Sequence, residues 1–257
     1  MTLWCARYII AIWVALFLAP YANAAERVSF PASAKWRGKA VEIGGEFSRP
    51  GGSKKVPAVI LMHGCGGLGS AVRASLRTHA RYLVRNGFAV LILDSFGPRR
   101  IAGGWVCKGL DRLADARNYR LADARDASKW LLTRSDIDGR NIFIMGQSNG
   151  GSVALRAAAA GGFRAAAAYY PWCGAASANR APLIVFGGGL DDWVPPKTCR
   201  NRPQSARYQY VHYDDAAHSF DVRSLQNSYL GYRLGYNSAA TKDSRARMIT
   251  FFRKHMR

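Results

Sequence analysis

The sequence NIFIMGQSNGGSVALRAAAA, residues 141–160, decides the fold of this chain. It predicts a short apolar strand, a sharp turn and an alanine-rich helix. The pentapeptide GQSNG at 146–150 fits G-x-S-x-G, the strand-turn-helix corner that presents a nucleophilic serine above an α/β sheet. Glycines flank Ser148 because side chains at those positions would clash in so tight a turn. The rest of the chain must then supply a base, an acid and donors for an oxyanion.

Apolar strands alternate with helices through the remaining sequence. The predicted strands are two short segments between 27 and 47, then 56–62, 88–93, 141–145, 164–170, 181–186 and 207–213. The main predicted helices, besides the one that follows Ser148, are 70–86, 112–133 and 238–256. This alternation predicts an α/β fold, a mostly parallel eight-stranded sheet with helices on both faces. We expect residues 25–257 to form a single domain.

Residues 1–24 resemble a signal peptide rather than part of the fold. A positively charged start precedes an apolar run at 8–19, which Pro20 breaks, and Ala22-Asn23-Ala24 is an A-x-A cleavage site. The run is too short to span a bilayer comfortably. We therefore expect a mature chain that begins near Ala25, is periplasmic or secreted, and has no integral membrane association.

The formal net charge of the chain is +21, and its lysines and arginines are scattered rather than clustered. A basic surface of this kind is attracted non-specifically to anionic envelope polymers. No RNA- or DNA-binding motif accompanies the charge, so we expect no nucleic-acid partner.

Export changes the interpretation of the cysteines. Without Cys5, the chain has Cys65, Cys107, Cys173 and Cys199, an even number in an oxidising compartment. Four cysteines allow three pairings. The sequence contains no C-x-x-C pair, so we predict two disulfides and no metal site.

Polar residues follow five of the predicted strands, at the carboxyl ends where the reacting groups of parallel sheets lie. These residues are His63, Asp94, Ser148, Asp191 and His218. A serine hydroxyl is a poor nucleophile that needs a base, and the base needs an orienting carboxylate. We predict Ser148 as nucleophile, His218 as base and Asp191 as the orienting acid, in the chain order Ser, Asp, His.

Two other carboxylates compete for the role of the acid. Asp192 follows Asp191 directly, but the pattern G-x-x-D-x-x-V-P favours Asp191 and leaves Asp192 as a solvated or turn-capping residue. Asp94 is the alternative acid, and we expect it to hydrogen-bond its own turn instead.

The oxyanion requires two backbone N–H donors. Asn149 is one, at a helix N-terminus where the dipole also favours negative charge. The loop 63–67, HGCGG, provides the other, with Cys65 as first choice and Gly66 as the alternative. We interpret His63 as a structural residue that braces this loop.

Taken together, the chain resembles the dienelactone hydrolase family of the α/β-hydrolase superfamily. The similar residues are LMHG at 61–64, GQSNG at 146–150, the segment 188–195 that contains Asp191, and AHSF at 217–220. Dienelactone hydrolases use cysteine as nucleophile, whereas this chain has Ser148. The resemblance therefore implies serine esterase chemistry on a small-molecule ester or lactone, without a metal or cofactor.

The resemblance also implies which cysteines pair. On this fold the strands before Cys173 and Cys199 are neighbours, as are the third and fourth strands. We therefore expect the disulfides Cys173–Cys199 and Cys65–Cys107.

Several residues near the predicted loops are candidates for substrate contact. The aromatic candidates are Phe96, Trp105, Trp172, Trp193 and Phe220, and the more common role of aromatic residues beside such loops is core or rim packing. Arg99 and Arg100 are candidates for holding a substrate carboxylate, as arginines do in the family that the chain resembles, but a charged surface loop is the simpler interpretation in a chain this basic.

We predict an exported hydrolase of carboxylic esters or lactones that forms an acyl-enzyme. The alternatives are a peptidase, polyester depolymerase or acyltransferase with the same three residues, and a non-catalytic basic binding protein of the same fold.

Overall fold

The computed structural model describes residues 25–174, 178–223 and 227–257. The predicted signal peptide lies outside the described residues. The strands are β1 (Glu26–Pro31), β2 (Glu42–Ser48), β3 (Val56–Met62), β4 (Ala89–Asp94), β5 (Ile137–Gln147), β6 (Ala166–Tyr169), β7 (Leu183–Gly188), β8 (Tyr208–Tyr213), β9 (Ser228–Tyr229) and β10 (Tyr232–Arg233). The helices are α1 (Ser70–Arg85), α2 (Leu110–Leu132), α3 (Asn149–Ala160), α4 (Lys197–Arg200) and α5 (Ser238–Lys254).

Strands β1 to β8 form one sheet in the order β1-β2-β4-β3-β5-β6-β7-β8. The first two are antiparallel to their neighbours, and the six strands from β4 to β8 run parallel. The prediction of a mostly parallel, eight-stranded α/β sheet is confirmed. All the parallel strands end at the same edge, so the loops that follow β3, β5, β7 and β8 meet there.

The helices cover the sheet on both faces. Alternate residues of β3 point to opposite sides: Ile60 packs in the cluster that contains Ala127 of α2 and Val153 of α3. Leu61 packs in the other cluster, with Leu83 of α1. Apolar side chains on both faces of a strand explain why the central strands are continuous apolar runs.

Two disulfides link the loops at the functional edge of the sheet. Cys65, after β3, is bonded to Cys107, and Cys173, after β6, is bonded to Cys199 of α4. These are the expected pairings. The first disulfide attaches the loop after β3 to the segment that precedes α2.

Within the described residues, no helix is both long enough and apolar enough to cross a membrane.

Replacing Cys173 and Cys199 by alanine should lower the free energy of unfolding. The bond closes a loop with a sequence separation of 26, for which chain entropy predicts a loss of about 3.5 kcal/mol. Urea unfolding under non-reducing conditions, with thiol titration to verify that the wild type has no free thiol, measures the loss. Equal midpoints for the variant and the wild type would contradict the prediction.

Candidate active site

Ser148 occupies the turn between β5 and α3 in a backbone conformation that side chains rarely adopt. Its φ is 52° and its ψ is −117°. The Ser148 N–H donates to the Tyr169 carbonyl at 2.9 Å, and the Ser148 carbonyl accepts from the Ser152 N–H at 2.9 Å. A strained conformation of this kind costs about 1–3 kcal/mol and persists only where its surroundings fix it.

The flanking glycines are what allow this turn. A Cβ on Gly146 would clash with the backbone of Gly150, and a Cβ on Gly150 would clash with the carbonyl oxygens of Met62 and His63. Helix α3 therefore begins directly against the end of β3, with no side chain between the two backbones.

The three residues predicted as nucleophile, base and acid form one chain of hydrogen bonds. His218 Nε2 lies 3.0 Å from Ser148 Oγ, and His218 Nδ1 lies 2.8 Å from Asp191 Oδ2. His218 and Asp191 are 1% and 4% exposed. The second oxygen of Asp191 accepts from the N–H groups of Trp193 and Val194 at 3.1 and 2.8 Å. The carboxylate is thus fixed on both oxygens.

The competing carboxylates lie elsewhere. Asp192 is exposed and accepts from the Arg233 N–H at 2.8 Å. Asp94 accepts from the N–H groups of Phe96 and Gly97 at 3.0 and 2.9 Å, so it hydrogen-bonds its own turn as expected.

Cys65 and Asn149 line the same cleft as Ser148. Asn149 is the first residue of α3, where helix N–H groups have no intrahelical partner. Cys65 lines the space around Ser148, and so does Gly66 on one side of it. Within the described part of the chain, neither the Cys65 nor the Asn149 N–H is engaged by another residue. Both positions are therefore available to donate to a bound oxyanion.

His63 lies behind this loop rather than in the open site. Its ring is buried, contacts Phe96 edge-on at 4.6 Å, and its Nδ1 lies 2.7 Å from the Gly64 carbonyl oxygen. Burial, with the charge of Arg120 adding to it, lowers the pKa of His63 well below its usual range. A neutral, enclosed imidazole fits the structural role that we expected.

Two clefts open onto Ser148. The wide cleft has a volume of about 700 Å³ and is lined by Lys108, Leu113, Arg117, Trp172, Trp193 and Tyr232 among others. The narrow cleft has a volume of about 400 Å³ and is lined by Gly66, Ala71, Gly104, His218 and Tyr229 among others. Both are lined by Cys65, Cys107 and Trp193, so the disulfide lies in the shared wall.

Some of the expected substrate contacts are wrong. Arg99 is 4% exposed and its guanidinium is bound to both oxygens of Asp123, at 2.8 and 2.7 Å, which leaves it unable to reach a ligand. Trp105 lies outside both clefts and packs under the Arg112 guanidinium. Phe96 and Phe220 are buried in the core.

Trp172 and Trp193 do line the wide cleft. Its basic residues, Lys108 and Arg117, were not anticipated, because each lies on a different element and belongs to no motif. No acidic side chain accompanies them among the described residues that line this cleft. Arg117 lies 4.8 Å above the Trp172 ring.

A buried polar network that the sequence did not reveal connects the residues beside Ser148 and His218. Asp221 accepts from Gln147 Nε2 at 2.7 Å and from the Tyr170 hydroxyl, and it pairs with His79 at 2.6 Å. Hydrogen bonds from His79, Tyr170 and Gln147 lower the pKa of Asp221 against the opposing effect of burial. Tyr170 in turn contacts the His218 ring edge-on at 4.7 Å.

This geometry can be compared with known proteins. The dienelactone hydrolase family model matches residues 43–256. The chain belongs to the dienelactone hydrolase family. A relative from Salmonella typhimurium, named as a carboxymethylenebutenolidase, is 29% identical over 154 residues. The match covers 52% of this chain and 54% of that protein, so the chain spans about half the length of the curated relative that it matches.

Solved structures of family members and esterases have the same fold. A dienelactone-hydrolase-like promiscuous phosphotriesterase from metagenomic libraries superposes with a TM-score of 0.70 at 20% identity, covering 91% of this chain and 100% of its own. The dienelactone hydrolase of Anabaena variabilis superposes with a TM-score of 0.64 at 18% identity, and the match covers 91% of this chain and 100% of that protein. Esterase 2 of Thermogutta terrifontis superposes with a TM-score of 0.64 at 17% identity, and the match covers 93% of this chain and 97% of that protein. At these identities the likeness establishes the fold alone.

Gly150→Ala should destabilise the protein by about 3 kcal/mol or more, because the added methyl group meets backbone oxygens that cannot move aside. Gly235→Ala is a matched control, since its Cβ would contact only Ala217 Cβ, at 3.8 Å. Thermal unfolding of both variants tests this. A Gly150→Ala protein as stable as Gly235→Ala would show that the close approach is not required.

Proposed function

We propose that this protein is a serine hydrolase that cleaves carboxylic esters or lactones. The observation that carries the proposal is the pair of hydrogen bonds that joins Ser148 Oγ, His218 and the buried Asp191. Family membership supports ester or lactone chemistry.

In the first half of the reaction, Ser148 Oγ attacks the carbonyl carbon while its proton passes to His218 Nε2. Asp191 holds the proton of His218 on Nδ1, so that Nε2 is free to accept, and it stabilises the imidazolium that forms. The negative charge that develops on the carbonyl oxygen is bound by the N–H groups of Asn149 and Cys65. The intermediate then expels the alcohol, which takes the proton from Nε2, and Ser148 is left acylated.

In the second half, a water molecule attacks the acyl group with His218 again as base. The acid is released and the proton returns to Ser148. For a lactone, the expelled alcohol is part of the acyl chain, so this step releases a single hydroxy acid.

The walls of the wide cleft favour certain substrates. Trp172 and Trp193 provide aromatic surface, and Lys108 and Arg117 provide positive charge with no carboxylate beside them among the described lining residues. An ester or lactone that combines an apolar group with a negatively charged group fits these walls best.

Export is part of this proposal. Its supports are the signal-like residues 1–24, which lie outside the described part of the chain, and the two disulfides. Disulfides persist in oxidising compartments such as the periplasm.

Ser148→Ala should lower kcat/KM for a short p-nitrophenyl ester by at least about 10³-fold, since the nucleophile is lost. It should also abolish covalent labelling by a fluorophosphonate probe, which the wild type should take up at Ser148. Full activity in the variant, or a wild type that takes no label, would refute the proposed function and favour a binding protein of the same fold.

Asp191→Asn should lower kcat by about 10⁴-fold while the fold is kept. The asparagine can keep its oxygen on the N–H groups of Trp193 and Val194. Its amide then donates to His218 Nδ1 and drives the ring proton onto Nε2, the wrong nitrogen. Asp192→Asn is the neighbouring control and should retain near-wild-type kcat, because that carboxylate is exposed. Equal losses in the two variants would contradict the assignment of Asp191.

A further inference from the structure

Arg120 of α2 is fully buried and contacts residues of both segments that carry the proposed oxyanion donors. Its Nη1 donates to Asn149 Oδ1 at 2.6 Å. Its Nη2 donates to the His63 carbonyl oxygen and lies 3.4 Å from His63 Nδ1. One guanidinium therefore holds both segments that carry the proposed donors, the start of α3 and the loop after β3.

The bonding of Arg120 differs from that of an ordinary buried arginine. Arg99 is the comparison within this chain, because its charge is matched by the carboxylate of Asp123. Among the described residues, Arg120 forms no ion pair with a carboxylate, and its hydrogen bonds go to a carbonyl and an amide oxygen. Its guanidinium also lies 5.0 Å from the centre of the Phe96 ring.

The charge on Arg120 is present during the reaction. Burial lowers the pKa of Arg120 to about 10, which still leaves the guanidinium protonated at neutral pH. Asp123 and Asp94 attract this charge without a hydrogen bond to it. A buried cation that has no direct carboxylate partner is costly to a protein unless its surroundings are arranged around it. The electrostatic benefit is largest where negative charge develops in a water-poor site.

The groups that Arg120 contacts are themselves held in place. Asn149 Nδ2 donates to the Leu113 carbonyl of α2 at 3.1 Å, so both polar atoms of this side chain are bound to α2 residues. The His63 carbonyl lies against Gly150, where no side chain fits. A shift of Arg120 would therefore disturb the His63 backbone on one side of the proposed oxyanion and the Asn149 side chain on the other.

We propose that Arg120 is a positioning residue that fixes the separation of the Asn149 and Cys65 N–H groups and supplies positive charge behind them. This inference rests on the proposed function. It assigns to α2, which carries none of the three reacting residues, control over stabilisation of the oxyanion.

Two variants test this inference. Arg120→Met removes both the charge and the pair of hydrogen bonds that Nη1 and Nη2 donate. Arg120→Lys keeps the charge but cannot donate both hydrogen bonds in the same geometry. Arg99→Lys is the matched control, because Arg99 is also a buried arginine but its partner is the carboxylate of Asp123. For each variant we would measure the melting temperature, kcat and KM on a p-nitrophenyl ester, and the rate of fluorophosphonate labelling. The affinity for a trifluoromethyl ketone, which forms a tetrahedral adduct with Ser148, completes the set.

Arg120→Met should lower kcat by about 10²-fold with KM close to the wild-type value, as expected when oxyanion stabilisation is weakened. Trifluoromethyl ketone affinity and the labelling rate should fall with kcat, because the ketone adduct and the transition state of phosphonylation both place negative charge at the same position. The kcat, ketone affinity and labelling rate of Arg120→Lys should lie between those of Arg120→Met and those of the wild type. Arg99→Lys should lower the melting temperature without a comparable loss of ketone affinity.

The outcomes separate the two proposals. A wild type that hydrolyses the ester, together with an Arg120→Met protein that is folded and keeps wild-type kcat and ketone affinity, overturns the role of Arg120 alone. If Arg120→Met does not fold, Arg120→Lys decides, and wild-type kcat in that variant overturns the inference. A wild type in which Ser148 takes no probe overturns the proposed function, and the role of Arg120 with it.

Discussion

The close approach of two backbones, at Gly150 and at the end of β3, is the constraint on which the rest of this structure depends. Because the carbonyl oxygens of Met62 and His63 occupy the place of a side chain, α3 can begin directly against the sheet. The positive φ of Ser148 is held by that contact. The Cys65–Cys107 disulfide and the hydrogen bond from the Arg120 guanidinium to the His63 carbonyl then fix the loop that follows β3.

The sequence is most informative where local pattern and chain order carry the information. Continuous apolar runs predict the central strands, and the prediction is confirmed because parallel strands are buried on both faces. Ser148 and Asp191 follow such strands and His218 follows the outer strand β8, and the structure brings the three into hydrogen-bond contact. The steric rule for the two glycines is also visible in the sequence.

Arg120 carries a weaker signal in the sequence. It lies on the same helical stripe of α2 as Ala116, Ala124 and Ala127, all of which are buried. Spacing of this kind places a residue on the inner face of a helix whatever its charge. A charged residue in line with buried alanines therefore indicates a buried charge, although its partners on other elements do not follow from the spacing.

The predictions of substrate contacts fail where the position of a side chain depends on a partner far away in the sequence. Arg99 resembles a substrate contact in the sequence because a charged residue on a loop is usually exposed. Its partner Asp123 is 24 residues away, and no local pattern announces that pairing. The walls of the wide cleft escape prediction for the same reason, since they come from several elements, among them α2 and the segment before it, the start of α3, the loops after β6 and β7, and β10.

The distribution of the site over the sheet has a consequence for the order in which the protein is made. Ser148 lies in the turn directly after the central strand β5, whereas His218 follows β8, the last strand of the sheet and an outer one. A nascent chain that has emerged only as far as the loop after β7 therefore contains the complete nucleophile turn and Asp191, but no base. The proposed hydrolysis thus requires the chain beyond β8 to be in place, and it would report completion of the fold more faithfully than burial of the core does.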